Sequence, residues 1–122
     1  MLSDSNFNIS PLAWKAAKKQ AKVILKDRAA MRGMISYSDL ARQITAFSFA
    51  PHDPRFFHFL GEVSSDEDDK GRGLLTVIVV HKDGDMQPGP GFFDLAESRG
   101  RDVSDILKCW VEELHAVHAV WS

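Results

Sequence analysis

A single cysteine, Cys109, leaves this 122-residue chain without an internal disulfide or a cysteine-based zinc site, and a lone thiol suits a reducing compartment. Long hydrophobic runs are missing as well. The longest, residues 74–80 broken by Thr76, is far too short to span a bilayer. Residues 1–10 lack the charged-then-apolar layout of an export signal, so the expectation is a cytoplasmic protein with no membrane partner. There is no GxSxG, no Walker loop and no dinucleotide fingerprint. Gly71-Arg72-Gly73 and Pro88-Gly89-Pro90-Gly91 are too short and too rigid to cradle a phosphate chain. Nothing therefore points to an enzyme or asks for a cofactor. What is present is 44% hydrophobic residues, with aromatics making up 10% of the chain, which excludes wholesale disorder and is enough for one core over residues 1–122.

Charge is unevenly placed. Residues 1–32 carry seven bases against two acids, a balance of +5, and the other 90 carry eight against fifteen, a balance of −7, giving −2 overall. Such a chain can steer an anionic partner to one end, or pair with itself by laying a basic helix over an acidic body. The net charge argues against a strong non-specific nucleic-acid binder.

Helix signals dominate. Ser10-Pro11 starts a helix over 11–32, with Ser as cap and Pro at the first position, and Gly33 suits the left-handed position just past its end. Ser36, with Asp39 three residues on, opens a helix over 37–46, and Asp53-Pro54 opens another over 54–64. Residues 64–73 read as an acidic loop, and 74–82 as a buried β-branched strand. Asp83-Gly84-Asp85 signals a turn, and Pro88-Gly89-Pro90-Gly91 a rigid one. A short helix follows over 91–98. The last, over 103–120 and capped by Asp102, carries a stripe of Val103, Ile106, Leu107, Trp110, Val111, Leu114, Val117 and Trp121. The expected fold class is α+β, mostly helical, with five helices and a small β element.

Several residues could carry chemistry, each with a plainer reading beside it. Lys108 adjoins Cys109 in sequence but points elsewhere on a helix, so the thiol is not activated and reads as buried and inert. His115 and His118, three apart on a helix near Glu112, could hold part of a metal site if a further ligand came from elsewhere, or be incidental. The acids at 66–69 lack the spaced oxygens and central Gly of an EF-hand loop. Glu62 with His81 and Lys82 invites a metal-dependent nuclease, but Val80 stands where the E-x-K layout needs an acid.

The order Gly33, then Ile35-Ser36-Tyr37-Ser38-Asp39-Leu40-Ala41, Pro54-Arg55-Phe56-Phe57, and an apolar stretch ending Val79-Val80-His81-Lys82 resembles the winged-helix domain of the methylated-DNA–protein-cysteine methyltransferases and their alkyltransferase-like relatives. The resemblance covers about half of the chain. It implies a winged-helix-like fold, with Tyr37 and Arg55 in the places of that family's DNA-contacting tyrosine and recognition-helix arginine. Val80 takes the place of the reactive cysteine, so alkyl acceptance is not implied. Gly71-Arg72-Gly73-Leu74-Leu75-Thr76 and Pro88-Gly89-Pro90-Gly91-Phe92-Phe93 also resemble, more closely, a group of small bacterial proteins without an established activity.

Three functions follow as expectations. The first is a non-catalytic module on double-stranded DNA or in a DNA-processing or defence complex, with Tyr37, Arg55, Lys15, Lys18 and Lys22 on phosphates. The second is a protein-interaction, inhibitor or immunity-type domain, or a homodimer, using Trp110, Leu114 and Trp121, a stripe that equally suits a core. The third is the nuclease, with Glu62 and His81.

Overall fold

Ser10 accepts the Ala13 N–H on its Oγ at 3.1 Å and Pro11 takes the first helical position, which starts α1, Pro11–Ala30. The computed structural model describes residues 10–50, 53–82 and 87–122. After α1 come β1 (Ile35–Ser36), α2 (Tyr37–Gln43), α3 (Pro54–Asp69), a 3₁₀ turn (Leu75–Ile78), β2 (Val79–Val80), α4 (Pro90–Ser98) and α5 (Ile106–Trp121). Among the described residues the fold is mostly helical, with five α-helices and one two-stranded parallel sheet pairing Ile35 with Val79 and Ser36 with Val80. None of the described helices is long and apolar enough to cross a membrane.

The core is assembled where α1, α3 and α5 close over the 3₁₀ turn. Ala17, Ala21, Leu25 and Ala29 form the inner edge of α1, and Phe56, Phe59 and Val63 that of α3. Small residues on α1 let the helices approach closely, and the large side chains opposite fill the space. Phe49 seals one end, its ring 4.9 Å from Phe59 and 5.2 Å from Phe56.

The expected strand over 74–82 shrinks to Val79–Val80, and the reason lies in its backbone donors. Glu113 Oε2 accepts the Leu74 N–H at 2.9 Å, Ser64 Oγ the Thr76 N–H at 2.9 Å, and the Leu74 carbonyl the Val77 N–H at 2.9 Å. With side chains and a turn taking those groups, no ladder remains to form, yet every residue from 74 to 80 is buried, as its apolar character required.

Other boundaries also move. The helix expected over 54–64 runs on to Asp69, absorbing most of the acidic loop, because its acids face the lysines of α1. The last helix begins at Ile106 under an Asp105 cap, while Asp102 accepts from Ser104 in the turn before it. The second ends at Gln43, where Ile44 turns extended. Arg32, with φ 56°, takes the left-handed position beyond α1 that Gly33 was expected to fill. Pro90, expected in a rigid turn, instead opens α4 one residue before the expected start at 91. The expected Asp83-Gly84-Asp85 turn lies outside the described residues.

Candidate functional site

The basic row of α1 is largely spent inside the molecule. Lys18 lies 3.3 Å from Glu62 and 2.9 Å from Asp66, Lys22 2.9 Å from Asp66, and Lys26 3.6 Å from Glu67. Burial pushes the Asp66 carboxyl up, but hydrogen bonds from Lys18 and Lys22 outweigh it and hold the group below its ordinary range. The bipolar chain pairs with itself, as one of its two charge readings required. Lys15 and Lys19 remain exposed and make no ion pair among the described residues.

Farther along, Arg101 grips two carboxylates. Its guanidinium donates to both oxygens of Asp68 at 2.8 and 2.9 Å and to both of Glu113 at 3.0 and 3.1 Å, while Arg99 Nε reaches Asp68 at 2.7 Å. The hydrogen bond from Arg101 brings the Asp68 carboxyl down to about 2, against the opposing effect of burial and with help from Arg99. Glu67, fully buried on α3, takes Arg72 at 2.7 Å.

Tyr37 is buried rather than turned outward. Its Oη accepts the Gly89 N–H at 2.9 Å, and its ring lies 4.9 Å from His81, 6.0 Å from Phe57 and 6.5 Å from Phe56. Burial pushes its hydroxyl pKa up, only partly offset by the Gly89 N–H. Arg55 is held back on Asp53, with Nε at 2.9 Å and a terminal nitrogen at 2.6 Å from Oδ2, and its guanidinium covers Phe47. Tyr37 is therefore turned inward onto Gly89 rather than standing on an outer face beside a phosphate, as was expected of it. Two more of the expected contacts, Lys18 and Lys22, are committed to carboxylates.

The expected catalytic and metal residues are not brought together. Glu62 accepts from Trp14 Nε1 at 2.8 Å and lies 3.0 Å from His58, on the side of α3 that meets α1, whereas His81 packs on Tyr37. His118 is buried and donates from Nε2 to the Gly33 carbonyl at 3.0 Å, while His115 is exposed. No group of three or more His, Cys, Asp or Glu that could hold a metal occurs among the described residues. Cys109 is buried, and desolvation raises its thiol pKa.

The aromatic stripe of α5 is mainly core. Trp110, Leu114 and Trp121 are part-buried against the core, Trp110 Nε1 donates to the Val77 carbonyl at 3.2 Å, and Trp121 lies between Lys26 and Arg72. The stripe faces inward because α5 must cover the 3₁₀ turn. Its first turn leaves Ile106 and Leu107 exposed instead.

A cleft of about 550 Å³ along α1 is lined by Trp14, Asp66 and the lysines already described, and an apolar cavity of about 270 Å³ lies beside Tyr37. Its walls come from Tyr37 at the start of α2, Phe57, Leu60 and Gly61 of α3, Thr76 of the 3₁₀ turn, His81 after β2, and the segment from Gly89 to Phe92 with Leu95 at α4. None of these lining residues is Asp, Glu, Lys or Arg. Gly89 closes in so tightly that a Cβ there would come 3.1 Å from His81 Nε2 and 3.5 Å from Tyr37 Oη. Sequence reasoning named Tyr37 and His81 for other tasks and missed Phe57, Gly61 and Leu95 as a wall. The available signal was a glycine four residues after an aromatic on one helix. Scans of protein-family models, curated proteins and solved structures return no match to this chain.

Proposed function

We propose that this chain is a non-catalytic binding module whose ligand element is the cavity beside Tyr37, and that it takes a neutral, ring-bearing group. The observation that carries this is the chemistry of the wall. Phe57, Leu60, Phe92 and Leu95 favour an apolar body, and among the described residues that line the cavity no carboxylate, ammonium or guanidinium waits to neutralise an ion. Tyr37 Oη already accepts from Gly89, so its remaining capacity is to donate. A ring carrying a carbonyl or ring-nitrogen acceptor meets both demands.

Calorimetric titration with 2-naphthamide and with benzoate tests this. At about 0.3 kcal/mol for each of roughly a dozen heavy atoms, naphthamide should bind with Kd near 1 mM or tighter. Benzoate, which must surrender its hydration to an uncharged wall, should bind at least about tenfold more weakly. Equal binding of the two, or none by naphthamide, rejects the reading.

Association with DNA is the second reading, as a winged-helix-like module in the sense of the alkyltransferase resemblance. Lys15 and Lys19, exposed one turn apart on α1, favour it. Two such phosphate contacts correspond to a slope near −2 in log K against log salt. A mobility shift at low salt that the paired change Lys15→Glu and Lys19→Glu removes supports this reading. Absence of any shift at tens of micromolar protein rejects it.

A further inference from the structure

Gly61 sits in the middle of α3, where glycine weakens a helix relative to alanine because the unfolded chain has more freedom to lose. Where this fold needs glycine, the cause is visible. Gly73 has φ 84°, and a Cβ there would stand 3.1 Å from both Glu113 Oε2 and Val117 Cγ2. Gly61 has neither cause: its φ is outside the left-handed region, and an added Cβ would meet nothing within 4 Å. Its place on the helix supplies a different reason. Gly61 follows Phe57 by four residues, so the two share a face, and that face is a wall of the cavity. A side chain at 61 would grow into the cavity.

We infer that Gly61 is a specificity-determining residue, whose missing side chain makes room for a fused two-ring ligand rather than a single ring. This rests on the reading of the cavity as a ligand site. Size supports it: an apolar cavity of about 150 Å³ is enough for benzene, and the volume here is about 270 Å³. The occupant is thus a neutral planar bicycle with an acceptor at its edge, placed to meet Tyr37 Oη.

The test compares the full chain with Gly61→Ala and Gly61→Leu, titrating benzamide and 2-naphthamide and recording thermal unfolding without ligand. Gly61→Ala should weaken 2-naphthamide about tenfold or more while benzamide stays within about twofold. Gly61→Leu should abolish binding of both. Gly61→Ala should unfold a few degrees higher than the parent, since alanine is the better helix former and nothing obstructs its Cβ. Unchanged naphthamide binding by Gly61→Ala overturns the inference. A lowered unfolding temperature in Gly61→Ala overturns it too, because the glycine would then serve packing. If the parent chain binds neither compound, the ligand-site reading itself fails and the role of Gly61 falls with it.

Discussion

Around Asp68 and around Tyr37 the chain uses its polar groups in opposite ways. At Asp68 both oxygens are taken by Arg101 and one also by Arg99, Glu113 is shared between Arg101 and the Leu74 N–H, and nearby Lys18 and Lys22 converge on Asp66. At Tyr37 a phenol and an imidazole edge an apolar space, and the phenol keeps a proton that no described residue accepts. The charged region joins α3, α5 and the segments beside them, so its groups are consumed by folding. The region beside Tyr37 leaves capacity unspent at a cost to helix α3, through Gly61. Function is better sought where polar capacity is left over than where charge is densest, since dense charge here is already neutralised.

Breaking the charged side should have the largest effect. Arg101→Met leaves Glu113 and Asp68, both mostly buried, without their principal partner. Loss of one member of such a pair costs about 3 kcal/mol or more. Thermal unfolding should therefore fall by roughly 10 °C for a domain of this size. Where the variant still folds, its affinity for 2-naphthamide should match the parent, because Arg101 does not line the cavity. A fall in affinity at a temperature well below unfolding would mean that the two regions are coupled and the contrast between them is false.

Acid should act on the same side with a smaller effect. The Asp68 carboxyl lies at about 2, below its ordinary 3.8. A carboxyl lowered by folding stabilises the folded state above its unfolded value, and that contribution disappears as pH falls through the folded value. The shift corresponds to about 2 kcal/mol, lost between about pH 4 and pH 2. Denaturant midpoints measured across that window should drop in the parent and much less in Asp68→Asn, which has already lost the charge. Parallel curves for the two would remove Asp68 as the source.

Much of this architecture was legible in the sequence, because helix starts are local chemistry. Ser10-Pro11, Ser36 and Asp53-Pro54 cap helices as their side chains dictate, and five helices with a small β element are present. The long-range bonds were not legible. Leu74 and Leu75 with the β-branched Thr76, Val77 and Ile78 are all buried, and only the arrival of Ser64 and Glu113 at their N–H groups keeps them from being a strand. The acids at 66–68 read as a loop until the lysines of α1 and the arginines at 99 and 101 reach them. Tyr37 was legible as special, but its hydrogen-bond partner Gly89, 52 residues away, was not. Gly61 carried the least signal of all, because space left empty has no residue to announce it.

The smallest expected effect sharpens the comparison most, since it removes one oxygen atom. Tyr37→Phe keeps the ring against His81 and Phe57 but leaves the buried Gly89 N–H without its acceptor. The lost bond should cost about 1 kcal/mol of stability, a few degrees in unfolding temperature. Ligand selectivity then separates a structural hydroxyl from a binding one. In the parent, benzamide should outbind toluene, because the carbonyl finds the phenolic proton while both rings find the same apolar wall. In Tyr37→Phe that preference should vanish, with toluene binding as before and benzamide weakened severalfold. If benzamide keeps its advantage in the variant, the hydroxyl serves only to hold Gly89, and the polar wall of the cavity must be His81 instead.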